Sequence, residues 1–337
     1  MGRILAALIM VLVIFVNPAL AQTTYKLRVS LDTSPSHART IAVSDYLKKL
    51  QERSGGRIQT EMFSSGQLFR DRDVAKALRQ GAIEMAVPGS WVLTGFVPDA
   101  DVFQVPVFFG RPAPFVYAAV DGAVGKVING ELEAKLDVKL VGAWLPLGYQ
   151  NTYSTTKPIR SFADLQGMKI RNSGGAGQAI RAKFFNAQPN MTAWPDVPLA
   201  LSQGTFDGLS STDVSLASAK LWDSGVKFGF EDHEFIGFYI PMVSEIFYKK
   251  LPPDLQKLLV DVWNENIGSY RSNMEAAQTK ARNTLEANGI VFVAPSENEL
   301  AAIRQRMMPM QDSVVKELRI TPAMSKQLSA DPSFHEN

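Results

Sequence analysis

Cysteine is absent from the 337 residues, and histidine occurs only as His37, His233 and His335. Without thiols there is no disulfide framework, no thiolate nucleophile and no cysteine for lipid attachment at an export cleavage site. Three scattered histidines leave zinc or a catalytic metal almost no ligands, so neither metal nor cofactor is expected. An excess of one charge is also missing: 35 basic side chains stand against 33 acidic ones. No polybasic surface results, and nucleic acid is not an expected partner. A Gly-x-Ser-x-Gly nucleophile elbow and a Gly-Lys-Ser/Thr phosphate loop are both lacking. Gly175-Ala176-Gly177 is followed three residues later by Ile180, so the dinucleotide fingerprint is incomplete as well.

Long apolar runs occur in one place. Met1-Gly2-Arg3 precedes the unbroken stretch Ile4 to Val16, and Ala19-Leu20-Ala21 has the small-x-small pattern read by signal peptidase. Thirteen apolar residues fall short of the roughly 20 that span a bilayer. The expectation is a cleavable signal peptide over 1–21, cut after Ala21, and a soluble periplasmic protein. The remaining chain is long enough for two domains of ordinary size.

Along that chain the apolar period alternates between two and 3.6. Leu27 to Leu31 reads as a strand, and Ser34 or Ser36 caps a helix with Ile41, Tyr46, Leu47 and Leu50 on its apolar face. Gly55-Gly56 stops it. Ile58, Thr60 and Met62 alternate as in a second strand, Asp71 caps a helix through Val74 and Leu78, and Ile83 to Val87 reads as a third strand. This βαβαβ order predicts a largely parallel sheet wrapped by helices, with ligands at loops beyond the strands' carboxyl ends.

A second α/β unit begins near residue 150. Met168-Lys169-Ile170-Arg171 forms a strand that stops at Ser173-Gly174-Gly175, and Gln178 to Phe185 continues as a helix. Arg171 therefore sits at a strand's C-terminal end. From Pro253 to Asn288 apolar residues recur at helical spacing, a pattern too long for an ordinary globular helix. Two readings fit: one helix bracing both lobes, or two helices meeting at Gly268, where a helix-interior glycine costs roughly 1 kcal/mol.

Taken with "SSGQL" (Ser64 to Leu68), "LRQGAIEMA" (Leu78 to Ala86), "VFQVPVFF" (Val102 to Phe109), "KPIRSFADLQGMKIRNS" (Lys157 to Ser173) and "LALSQGTFDGL" (Leu199 to Leu209), the chain resembles the DctP-type substrate-binding proteins of tripartite ATP-independent periplasmic (TRAP) transporters. The resemblance runs over nearly the whole mature chain. It implies a two-lobed periplasmic binding protein fold, two α/β domains joined by crossover strands and braced by a long helix. Lobe I would comprise 22–149 plus 238–277, and lobe II 150–237 plus 278–337, with crossovers near 149–151 and 235–240. It also implies a monomeric receptor that closes on a small organic acid and passes it to the small and large integral membrane subunits of a permease.

In that family the arginine ending the "KIR" strand pairs with the ligand carboxylate, a position held here by Arg171. A guanidinium presents a planar pair of donors matched to a carboxylate. Ser173, at the same strand end, joins the ligand-facing set. Where many relatives carry a second arginine, this chain has Gln150 in "PLGYQNTYS". Ser210 and Ser211 follow Asp207-Gly208-Leu209, and Ser211 is in register with a ligand-contacting side chain. After "GQL" the usual glycine is replaced by Phe69-Arg70, with Arg70 a candidate substitute cation, and the loop Pro88-Gly89-Ser90-Trp91 contains no acid. Of Phe69, Trp91, Trp144, Tyr149 and Trp194, two are expected to reach the ligand, because aromatics mostly serve cores. His37 lies in a loop that reaches the cleft in this fold.

Rings and small hydroxyls offer few partners to a polyhydroxylated ligand, and each buried polar group left unpaired costs about 1–3 kcal/mol. The expected ligand is thus an apolar or aromatic monocarboxylate, with or without an α-keto or hydroxy group. Glu231-Asp232-His233-Glu234 is read as the approach to the hinge strand Phe235 to Ile240, not as a metal or catalytic cluster. An exported enzyme is the less supported alternative, although paired carboxylates can meet in any fold. A ligand-loaded partner of a membrane sensor remains a further one.

Overall fold

The computed structural model describes residues 23–330 and Phe334. The expected signal peptide and His335 lie outside the described residues.

Two sheets form the framework. The strands are β1 (Tyr25–Ser30), β2 (Ile58–Phe63), β3 (Met85–Ala86), β4 (Val138–Leu140), β5 (Leu145–Ser154), β6 (Lys169–Asn172), β7 (Gln188–Met191), β8 (Gly208–Ser211), β9 (Phe228–Tyr239), β10 (Met242–Ser244) and β11 (Val291–Val293). The first sheet has the order β2-β1-β3-β10-β4 and the second β11-β9-β5-β8-β6-β7. β1 pairs in parallel with β2 and β3, and β6 with β7 and β8, so their connections are crossovers and not hairpins. The long strands β5 and β9 run antiparallel to each other and lead from one lobe to the other. Their pairing is interrupted by irregularities at Pro146/Gly148 and Gln150/Thr152. Such bulges bend a strand and re-aim its side chains, and the second one lies at Gln150.

The helix Ala38–Arg53 is capped by His37, not by Ser34 or Ser36: its Nδ1 accepts the Arg39 amide at 3.0 Å. Ile41, expected on the apolar face, is 57 % exposed, whereas Arg39 shares the buried face with Val43, Tyr46, Leu47 and Leu50. Arg70 rather than Asp71 takes the cap position of helix Asp71–Arg79. That frees the Asp71 carboxylate, in the first turn, to bind inward.

Pro253–Ala287 is a single 35-residue helix. A Cβ at Gly268 would meet nothing within 4 Å, so the glycine sits on an open helix surface and the two-helix reading is overturned. Leu255, Leu259, Val262, Trp263 and Tyr270 pack into the first lobe's core, while Leu285 enters the second lobe's core with Tyr153, Leu209 and Leu216. Between them Gln278 ties the lobes, accepting the Val214 amide at 3.1 Å and donating to the Leu147 carbonyl. The Trp263 indole donates to the Ala143 carbonyl at 2.8 Å. Truncating a buried tryptophan of this kind costs about 3–5 kcal/mol.

The C-terminal segment departs from the expected lobe boundary. Leu300, Ile303 and Met307 pack with Ile159, Met168 and Phe230 of the second lobe. Val314, Leu318, Met324 and Leu328 instead join Ile128, Leu132 and Leu136 in the first lobe. Apolar periodicity fixes which face of a helix is buried, not which core receives it.

Glu231 to Glu234 forms no approach to a strand; it lies inside β9. Asp232 and Glu234 point inward and are buried. Asp232 accepts the Thr152 amide at 3.0 Å and its hydroxyl at 2.7 Å, and Glu234 accepts the Ser210 hydroxyl at 3.0 Å. Burial raises the pKa of both carboxyls.

Candidate functional site

A cavity of about 250 Å³ lies between the lobes. It is walled by the carboxyl ends of β1, β6 and β8, by the crossover strands, and by the turn at Ser90–Val92. Strand ends are natural binding positions because their side chains and loops are held by a rigid sheet. From the second lobe come Arg171, Ser173, Met191, Trp194, Ser211 and Ser215; Gln150, Leu147 and Tyr239 come from the crossovers. The first lobe supplies Asp32, Thr33, Arg39, Asp71, Trp91 and Val92.

Arg171 is 2 % exposed. Its Nε donates to the Thr192 carbonyl at 2.9 Å and Nη1 to the Ser210 carbonyl at 3.4 Å. The guanidinium carbon is 5.5 Å from the Trp194 ring centre. Nη2 makes no hydrogen bond, and no carboxylate lies within 4 Å, among the described residues. Burial, only partly offset by the Asp32 charge, pulls the Arg171 pKa down to about 9. A buried cation in that state is stabilised by an incoming anion.

The glycines after β6 have backbone angles that side chains resist: φ is 138° at Gly174 and 76° at Gly175. A Cβ at Gly175 would come within 2.7 Å of Asp101 Oδ1. The same carboxylate receives the Gly177 amide at 3.0 Å, which seats the start of helix Ala176–Phe184 against the turn Pro98–Gln104. The glycine cluster is therefore a close-packing device and not a phosphate cradle.

Gln150 is 2 % exposed, and its Nε2 has no partner although buried. Trp91 lies with its ring 5.8 Å from that of Tyr239, in a seat left open by Gly89, whose Cβ would overlap the indole at 2.2 Å. Of the five aromatics considered from sequence, Trp91 and Trp194 line the cavity. Trp144 is core, with its indole donating to Asn129 at 2.9 Å. Tyr149 points to the face opposite Gln150, stacks on His233 at 4.2 Å and donates to the Arg111 carbonyl at 3.0 Å. Phe69 packs against the first lobe's core, with its backbone bound to the Ser30 hydroxyl.

Two further expected residues serve closure instead of lining the cavity. Arg70 spans the mouth to Asp196 of the second lobe with both guanidinium nitrogens. His37 is fully buried, and its Nε2 lies 3.2 Å from the Ser215 hydroxyl of the second lobe. Burial, followed by the Arg39 charge, lowers the His37 pKa to about 3, so the ring is a neutral strut.

Sequence reading missed Asp32, Arg39, Asp71 and Tyr239. Arg39 Nη1 donates to Asp71 at 2.6 Å and to the Val87 carbonyl at 3.0 Å, and the guanidinium lies 4.2 Å over the Tyr239 ring. One signal was available: Arg39 stands at i−4 from Val43 and at helical spacing from Leu47 and Leu50, a charge on an otherwise apolar face.

The family model described as "Bacterial extracellular solute-binding protein, family 7" (DctP) matches residues 29–318. The chain is 23 % identical over 306 residues to the C4-dicarboxylate-binding periplasmic protein DctP of Rhodobacter capsulatus, covering 89 % of each. Among solved structures, a TRAP periplasmic solute-binding protein from Desulfovibrio salexigens with bound orotic acid aligns at TM-score 0.83 and 22 % identity, over 93 % of this chain and 99 % of that one. One from Ralstonia eutropha H16 with bound (S)-2-acetolactate aligns at TM-score 0.81 and 24 % identity, with the same coverage.

Proposed function

The chain belongs to the family-7 (DctP) bacterial extracellular solute-binding proteins, and within that family of periplasmic TRAP receptors for organic acids we propose that it captures an apolar or aromatic monocarboxylate. It is a receptor and not an enzyme, and such receptors work with TRAP membrane permease subunits.

The observation that carries the ligand class is Arg171: a guanidinium buried in the cavity, partly bonded to carbonyls and in no ion pair among the described residues. A carboxylate placed against Nη2 supplies the missing charge, and the low local dielectric strengthens the pair. Trp91, Trp194, Leu147, Val92 and Met191 supply apolar surface around it. The volume is below the roughly 300–1,000 Å³ of drug-sized sites, which favours a compact acid. Gln150, Ser173 and Ser211 place a few hydrogen-bonding groups nearby. The relatives' own acids include a dicarboxylate, an aromatic acid and a branched hydroxy-oxo acid, so the class rests on this chain's lining.

The test is a thermal-shift panel on protein refolded to remove co-purified ligand, spanning dicarboxylates, sugar acids, aryl acids and branched 2-oxo and 2-hydroxy acids. A ligand at 1,000 times its Kd adds about 4 kcal/mol of stability. The expected result is stabilisation by aryl or branched monocarboxylates alone. Stabilisation by sugar acids or dicarboxylates alone would overturn the ligand class and leave the receptor.

A further inference from the structure

Asp32 follows β1 on the first lobe and lines the cavity to which the second lobe contributes Arg171. It is 7 % exposed and its Oδ1 is buried without a partner, while the Asp71 backbone amide lends the carboxylate a hydrogen bond. The charged groups around it are committed elsewhere. Asp71 is bound to Arg39 at 2.6 Å and receives the Asp32 amide at 3.3 Å. Arg70 is paired across the cavity mouth with Asp196. Arg171, from β6, gives Nε and Nη1 to carbonyls, and Tyr239, from β9, lies under Arg39. No cation stands within ion-pair distance of Asp32 among the described residues. A buried carboxylate left this way is costly unless a donor reaches it.

We propose that Asp32 is a second recognition point at this site: the acid held by Arg171 also bears a hydrogen-bond donor, a hydroxyl or a protonated amine, which the ionised Asp32 receives. The inference rests on the proposed carboxylate reading and narrows it. Asp32 and Arg171 line one cavity and feel each other's charge, so the donor belongs near the carboxylate, at or beside the 2-position. A second carboxylate on the ligand would meet Asp32 and Asp71 and is rejected. Acidity supports the assignment. Burial, followed by the Asp71 charge, raises the Asp32 pKa to about 7, so its acceptor form is the minor one at pH 6 and the major one at pH 8. The neighbouring Tyr239 phenol is pushed up by burial and stays neutral in that range.

The experiment is isothermal titration of the refolded protein with four acids on one branched or aryl skeleton: unsubstituted, 2-oxo, 2-hydroxy and 2-amino. At pH 8 the hydroxy or the amino acid is expected to bind at least tenfold tighter than the other two, with a smaller margin at pH 6. Asp32→Ala is expected to erase the preference while still binding the unsubstituted acid. Asp32→Asn keeps an acceptor without charge, so it retains a hydroxyl preference and loses an amine preference, which separates the two donors. Equal binding of all four acids by the unmodified protein, which needs no variant to fold, overturns the role of Asp32 and leaves the monocarboxylate receptor intact. Binding of none of the four overturns both.

Discussion

Arg70 of the first lobe and Asp196 of the second face each other across the mouth of the cavity, joined by both guanidinium nitrogens, one bond measuring 3.0 Å. The pair joins the two lobes beside the cavity, whose lining includes the chain neighbours Asp71 and Trp194. Its members are partly exposed, so its strength is modest and sensitive to salt. Asp196→Asn is expected to raise the ligand dissociation rate a few-fold at low ionic strength and to have little effect at 0.5 M salt. Stopped-flow fluorescence measures it; equal acceleration at both salts would assign the effect to something other than this ion pair.

Arg171 sets function against stability. It is a buried cation whose burial is only partly offset by the Asp32 charge, so folding disfavours its charged form. Its folded pKa lies below the ordinary guanidinium value, so the cost is fully present at neutral pH and is relieved only as pH rises above about 9. Arg171→Met fills similar space without charge. The expected outcome is a Tm of the ligand-free protein raised by a few degrees together with affinity lowered at least 100-fold. Calorimetric melting and titration read the two effects, and a lower Tm with affinity kept would refute both assignments.

Gly89 leaves the seat for Trp91. A methyl group there overlaps the indole at 2.2 Å, so Gly89→Ala forces Trp91 toward the cavity. Affinity is expected to fall at least tenfold with a small loss of stability. Ligand-induced quenching compared with a Trp91→Phe protein tests it, and an unchanged Kd would place Trp91 outside the binding surface.

His37 is held neutral by burial and by the Arg39 charge, with a pKa of about 3 against 6.5 in the unfolded chain. The unfolded state therefore binds its proton first as pH falls below 6.5, and stability is lost progressively from there toward pH 3. Buried acids with raised values, Asp101 among them at about 6, act in the opposite sense, so the difference from a variant is the useful quantity. Asn at position 37 can still cap the helix but does not titrate. The stability of the unmodified protein relative to His37→Asn is expected to fall by on the order of 3 kcal/mol between pH 7 and pH 4. Denaturant midpoints at both pH values measure this, and a constant difference would show that the ring is not buried neutral.

Much of this arrangement was legible along the chain. β1, β2 and the helix between them follow from the change of period, and the apolar spacing from Pro253 to Asn288 marks a long helical stretch, whose continuity through Gly268 the structure decided. Arg171 was recognisable because strand, arginine and glycine stop occur in order. The Glu231–Glu234 run was misread because local alternation does not reveal that β9 continues through it, with a residue of positive φ at His233. Tyr149 and Gln150 are adjacent in β5, and which of them faces the cavity depends on bulges that arise from pairing with β9.

By itself the sequence carried the family resemblance in its motifs, and it determined the order of many elements and the strand-end arginine, since these depend on contacts among near neighbours. Only the tertiary structure decided that Arg70 and His37 join the lobes, that residues 311–330 return to the first lobe, and that Asp32 and Arg39 wall the cavity with Arg171. Those are relations between segments tens to hundreds of residues apart. They arise when two lobes are brought together around one cavity, and no local period or motif encodes which side chains then face one another.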